Sequence, residues 1–91
     1  MHSNEQRIDL CNQALDGVRN IVSPELYKQI SDDINRYNEW GLGIETLIDQ
    51  LCELEIRIDP KQFIAIEAAM ASMDLVDSPG VRYLRDHNLK T

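Results

Sequence analysis

A chain of 91 residues is the size of one domain. On folding it removes roughly 60% of its unfolded surface from water, which allows one core and leaves little room for a deep catalytic cavity. Its composition, 43% apolar and 27% charged, excludes disorder, and its formal net charge of -7 disfavours nucleic acid and anionic membranes and would steer a basic protein, although surplus acid also serves solubility alone.

Ser3 can cap a first helix over Asn4–Gly17, in which Ile8, Cys11, Leu15 and Val18 recur every three or four residues with Ala14 alongside. Gly17 ends it, or it frays as far as Asn20. Ser23-Pro24-Glu25 starts a second helix, because the serine oxygen accepts from an orphan amide and proline at the first helical position loses no hydrogen bond. Leu26, Tyr27, Ile30, Ile34 and Tyr37 share one face of it. The helix breaks near Asn38, or runs almost unbroken into the next.

The third helix, within Asn38–Leu54, is the element the rest is organised around. Ile44, Leu47, Ile48, Leu51 and Leu54 form its apolar stripe. Glu45, Asp49 and Glu53 repeat every four residues and make an acidic ridge beside that stripe. Gly41 and Gly43 stand where this helix begins. Either they permit close approach of another helix or they mark a frayed first turn, each costing about 1 kcal/mol relative to alanine.

Glu55-Ile56-Arg57-Ile58 alternates as an extended connector and has no strand in the sequence to pair with. Asp59-Pro60-Lys61-Gln62 then restarts a helix with the signature of a capping box. Its stripe is Phe63, Ile66, Ala69, Met70 and Met73, read as core. Asp77-Ser78-Pro79-Gly80 turns into a short last helix carrying Val81, Leu84 and Tyr83, after which His87–Thr91 is expected to fray. The pattern predicts an all-α fold, a small bundle of four to five short helices in a single domain over residues 1–91.

Cys11 and Cys52 sit among apolar helical residues without a C-x-x-C motif, so buried free thiols are expected over a disulfide. The opening Met-His-Ser-Asn-Glu-Gln-Arg has no apolar signal region, and no apolar run approaches the ~20 residues a bilayer requires. The cytoplasm is the expected compartment.

Catalysis is poorly supported. His2 lies in a terminus, His87 lies in the tail, and neither adjoins a nucleophile motif. Phosphate-loop motifs are absent, and Asp32-Asp33 lacks the further oxygens of a calcium loop. The reading is therefore a non-enzyme without cofactor or metal, and what remains is the anionic surface. Asp32, Asp33, Glu39, Glu45, Asp49, Glu53 and Glu55 fall in or beside the third helix, with no cation between Ile44 and Leu54. Trp40 adjoins them. Exposed it would anchor an interface, and buried it would be ordinary core, the preferred reading.

Glu39-Trp-Gly-Leu-Gly-Ile-Glu45, then Leu47, Leu51, Glu53, Ile56 and Ile58, then Phe63, Ile66, Met73 and Leu75, resembles the MafI family of immunity proteins. The likeness covers about Ile34 to Leu75, with Gly43 standing where that pattern has alanine. It implies a small helical protein made beside a secreted polymorphic toxin and neutralising it by tight one-to-one binding. The toxin would be a nuclease, with EndoU-type RNases favoured. Glu39 and Glu45 match family acids. The candidate contacts are Asp32, Asp33, Glu39, Trp40, Glu45, Asp49 and Glu53, placed against a basic active site, with no direct nucleic-acid or membrane contact and a monomeric free state. Two other readings compete. One is a helical adaptor or regulatory protein binding a partner helix, and the other is an acidic mimic binding nucleic-acid-handling proteins.

Overall fold

Side-chain caps set where most of the helices begin. The computed structural model describes residues 3–90, so His2 and Thr91 lie outside the described residues. In α1 (Asn4–Gly17), Ser3 Oγ accepts the Gln6 amide while the Gln6 side chain accepts that of Ser3. In α2 (Pro24–Asn35), Ser23 accepts from Leu26. In α4 (Pro60–Ser72), Asp59 and Gln62 cap one another reciprocally. In α5 (Pro79–Tyr83), Ser78 accepts from Val81. Each of α2, α4 and α5 has proline in its first turn, where no backbone donor is lost.

The central helix α3 (Trp40–Glu53) differs, since Glu39 makes no side-chain cap. The Glu39 N–H instead donates to Asp33 O at 2.7 Å, tying the start of α3 to the end of α2. Between them Asn38 turns the chain at φ 55°, a conformation asparagine tolerates better than most residues. The two helices are thus separate rather than continuous.

Two helix ends share a hydrogen-bond pattern. After α3 the Ile56 N–H donates to Leu51 O (2.9 Å) and Glu55 N–H to Cys52 O (3.2 Å). After α4 the Leu75 N–H donates to Met70 O (2.8 Å) and Asp74 N–H to Ala71 O (3.1 Å). Both are Schellman ends, with Glu55 (φ 54°) and Asp74 (φ 59°) in the left-handed position usually held by glycine. This corrects one expectation. Leu54 is not core but 59% exposed. The stripe outruns the helix by one residue, the chain reverses at Glu55, and Ile56 packs against the core instead.

The tail is pinned rather than frayed as far as Lys90. A π turn, Leu84–Asn88, continues α5 and carries the Asn88 side chain inward. Asn88 Nδ2 donates to Leu51 O and Ile56 O, both at 2.9 Å. The Ile58 N–H donates to Asn88 O (2.9 Å), and Lys90 N–H to Ile58 O (2.8 Å). Ile58 therefore forms an isolated parallel bridge with Leu89, so the connector does have an extended partner.

The other five helical elements among the described residues meet on α3, which packs against α1, α2, α4, α5 and the π turn, while α1 also lies along α4. Ile44, Leu47, Ile48 and Leu51 are buried beside Cys11, Leu15, Ile30, Ile34, Ile58, Ile66, Met70, Val81 and Leu84 in one core. The predicted all-α bundle is what forms. Its smallest dimension, 19 Å, is about two helix diameters. Tyr37, assigned to the inner face of α2, is 59% exposed because α2 has already ended at Asn35. Tyr83 is likewise half-exposed. Gly43 is a close-approach glycine: a Cβ there would sit 3.2 Å from Ile34 Cγ1 and 3.3 Å from Asp33 Cβ. Among the described residues no helix is long and apolar enough to cross a membrane.

Candidate functional site

Helical geometry divides the seven candidate contacts. Gly43 faces α2, and Glu45, two residues on, lies about 200° further round the α3 axis. Glu45 and Asp49 therefore point away from α2, and Glu53, about 80° from the α2 direction, lies at the flank of the same outer face. All three are exposed, and Leu42 shares their outer face at helical spacing.

The ridge borders a groove whose far wall is α5. Glu45, Ile48 and Asp49 from α3, with Met70, Ser78, Pro79 and Gly80, line a cleft of about 250 Å³. Asp49, Cys52 and Glu53, with Pro79, Gly80 and Tyr83, line a more open one of about 560 Å³. Asp49, Pro79 and Gly80 belong to both, so the clefts adjoin. The packing that brings α5 so near α3 rests on Gly80, where a Cβ would sit 3.0 Å from Ile48 Cγ2.

The electrostatics of this face are one-sided. Two ion pairs occur among the described residues, Lys28–Asp32 and Arg85–Glu67, each at 3.5 Å, and neither involves α3. Cys52 reports on the local field: partial burial raises its thiol pKa, and the Asp49 carboxylate raises it further. Cys11, fully buried and remote from the groove, is pushed up to about 11 by burial. Both cysteines are free thiols.

The other four candidates lie elsewhere. Asp32 is held by Lys28 on α2. Asp33 lies on the α2–α3 seam, with its Cβ close to where a Gly43 side chain would project. Glu39 is exposed at the start of α3. Trp40 is half-buried against the core and shares a separate cleft with Arg7, Gly41, Met73 and Leu75, where its indole N–H is buried and meets no acceptor among the described residues. The ridge is thus a coherent group of three, while Asp32, Asp33, Glu39 and Trp40 line neither of its clefts.

Sequence reasoning missed the far wall, formed by Pro79, Gly80 and Tyr83. The Ser-Pro-Gly turn was legible, but nothing local says that it returns to the acidic side of α3. Among the described residues no three His, Cys, Asp or Glu side chains are grouped to hold a metal ion. No family model, curated protein or solved structure matches the chain.

Proposed function

We propose that this protein is an immunity protein that binds and neutralises a secreted nuclease toxin, as the resemblance of residues 34–75 to MafI proteins implies. The observation that carries the reading is the outer face of α3: three exposed carboxylates, free of ion pairs among the described residues, beside a groove walled by Pro79, Gly80 and Tyr83. A nuclease must attract phosphate, so its active site is electropositive, and a rigid anionic ridge is complementary to it. Complementary fields raise the association rate, which is what matters against a lethal enzyme. Inhibition is stoichiometric, with no bond made or broken by this chain. Of the competing readings, an apolar groove for a partner helix suits this face less well, because both clefts have charged rims.

Two measurements test the proposal. Coexpression with the toxin encoded beside this gene should restore growth, and titration of that purified toxin should reach full inhibition at one equivalent. Growth arrest despite folded, abundant protein would reject the reading. EndoU-type RNase chemistry is the toxin class to assay first.

A further inference from the structure

We propose that the α3–α5 groove receives two cationic side chains, arginine in preference to lysine, from one basic segment of a partner protein, one side chain in each cleft. This deepens the preceding reading, resting on it for the partner's identity as a toxin but not for the chemistry of recognition.

Each cleft pairs an apolar wall, to which Pro79 contributes, with an anionic rim. In the first, Pro79 and the Gly80 backbone offer surface to a hydrocarbon stem above the buried Ile48 and Met70, while Glu45 and Asp49 stand at the edge. An arginine has that division along its length: three methylenes, then a planar fork that bonds carboxylates in pairs. In the second, Cys52 and Pro79 form the apolar part, Asp49 and Glu53 the rim, and the Tyr83 ring one wall. A guanidinium over that ring gains a cation–π contact as well as a carboxylate, which a compact ammonium exploits less well. The raised pKa of Cys52 keeps its thiol neutral, so it adds no charge to the apolar wall.

Spacing sets the segment. Successive ridge acids lie about 6 Å apart along α3, four residues at 1.5 Å each. Alternate residues of an extended chain lie about 6.6–6.8 Å apart on one face. An Arg-x-Arg segment running along the groove therefore places one guanidinium between Glu45 and Asp49 and the next between Asp49 and Glu53. No ion pair among the described residues has to break first. Asp49, common to both clefts, is the residue the arrangement depends on most.

The test uses the whole protein, isotope-labelled for NMR, and the peptide acetyl-Gly-Arg-Ser-Arg-Gly-amide at low salt. Amide shifts should cluster over Glu45–Glu53 and Gly80–Tyr83. They should be weaker with the lysine peptide and absent with the glutamine one. Asp49→Asn should weaken binding about tenfold, and Asp9→Asn, on the exposed side of α1, should leave it unchanged. Tyr83→Leu should narrow the preference for arginine over lysine. Shifts scattered over every acidic surface, or equal effects of Asp49→Asn and Asp9→Asn, would overturn the inference. The two proposals fail separately: toxin rescue without peptide binding removes only the arginine clefts, and peptide binding without toxin rescue removes only the immunity reading.

Discussion

The two faces of α3 are built on opposite terms. Inward, Ile44, Leu47, Ile48 and Leu51 are buried, and α3 packs against every other helical element among the described residues. Outward, Leu42, Glu45, Asp49 and Glu53 are exposed and make no ion pair among the described residues. One helix thus holds the fold on one side and presents charge on the other. Substitutions on the two sides should act largely independently, because the exposed carboxylates make no ion pair among the described residues while the inner side chains are buried. The sharpest test is Leu51→Ala. It removes a fully buried side chain at the junction of α3 with the tail and should cost about 2–5 kcal/mol in urea unfolding, a large part of a small domain's margin. Partner affinity per folded molecule should hardly change.

Asn88 extends the inner face to the end of the chain. It is 3% exposed, and both its amide hydrogens are used, one on the last turn of α3 and one on the connector. Asn88→Ala leaves Ile56 O without that donor and should cost about 1–3 kcal/mol. Hydrogen exchange should separate this from general loosening. The Ile58 and Lys90 amides, which form the bridge beside it, should lose protection before those of α1 and α4. Equal loss throughout would mean that the tail is part of the core's cooperative unit rather than a clamp laid upon it.

The contrast between the faces also explains what could be read from sequence. Helix starts at Ser3, Ser23 and Asp59 were legible because a cap and its amide lie three residues apart. The acidic ridge was legible because Glu45, Asp49 and Glu53 follow the helix period. Leu54 misled, because its burial depended on where the chain reverses, and a glutamate rather than a glycine holds the left-handed position. Asn88 was unreadable for a related reason, since its partners lie 37 and 32 residues away. The groove falls between these cases. Its acids were visible, but its far wall exists only through the packing of α5 on α3, while Trp40 packs partly buried against the core, in line with its preferred reading.

The side of α3 that faces α2 gives a smaller test. Alanine in place of glycine within a helix ordinarily gains about 1 kcal/mol. At Gly41 an added methyl meets only Leu75 and Met73 at 4.0 Å, so Gly41→Ala should raise stability by up to about that amount. At Gly43 the same methyl presses on Ile34 and Asp33 at 3.2–3.3 Å, and Ile34 is buried with nowhere to move. Overpacking of about 1–3 kcal/mol offsets the gain, so Gly43→Ala should lose about 1 kcal/mol net. Thermal melts of the two variants should therefore move in opposite directions, and a rise in both would show that the α2–α3 seam is looser than its distances imply.

The smallest effect on stability should come from the outer face itself. Glu45→Gln, Asp49→Asn and Glu53→Gln together remove two like-charge pairs at i,i+4 spacing, each unfavourable by a few tenths of a kcal/mol. They also remove a carboxylate from the last turn, where the helix dipole disfavours negative charge. The triple variant should be as stable as the parent or slightly more so at low salt, with the difference fading as salt screens the pairs. Its association with a cationic partner should slow strongly over the same salt range. A loss of more than about 1 kcal/mol would instead mean that these carboxylates hold the fold through contacts their exposure does not suggest, beyond the usual range for surface substitutions. Retained stability with slowed association would separate the residues that keep α3 in place from those proposed to meet a cationic partner.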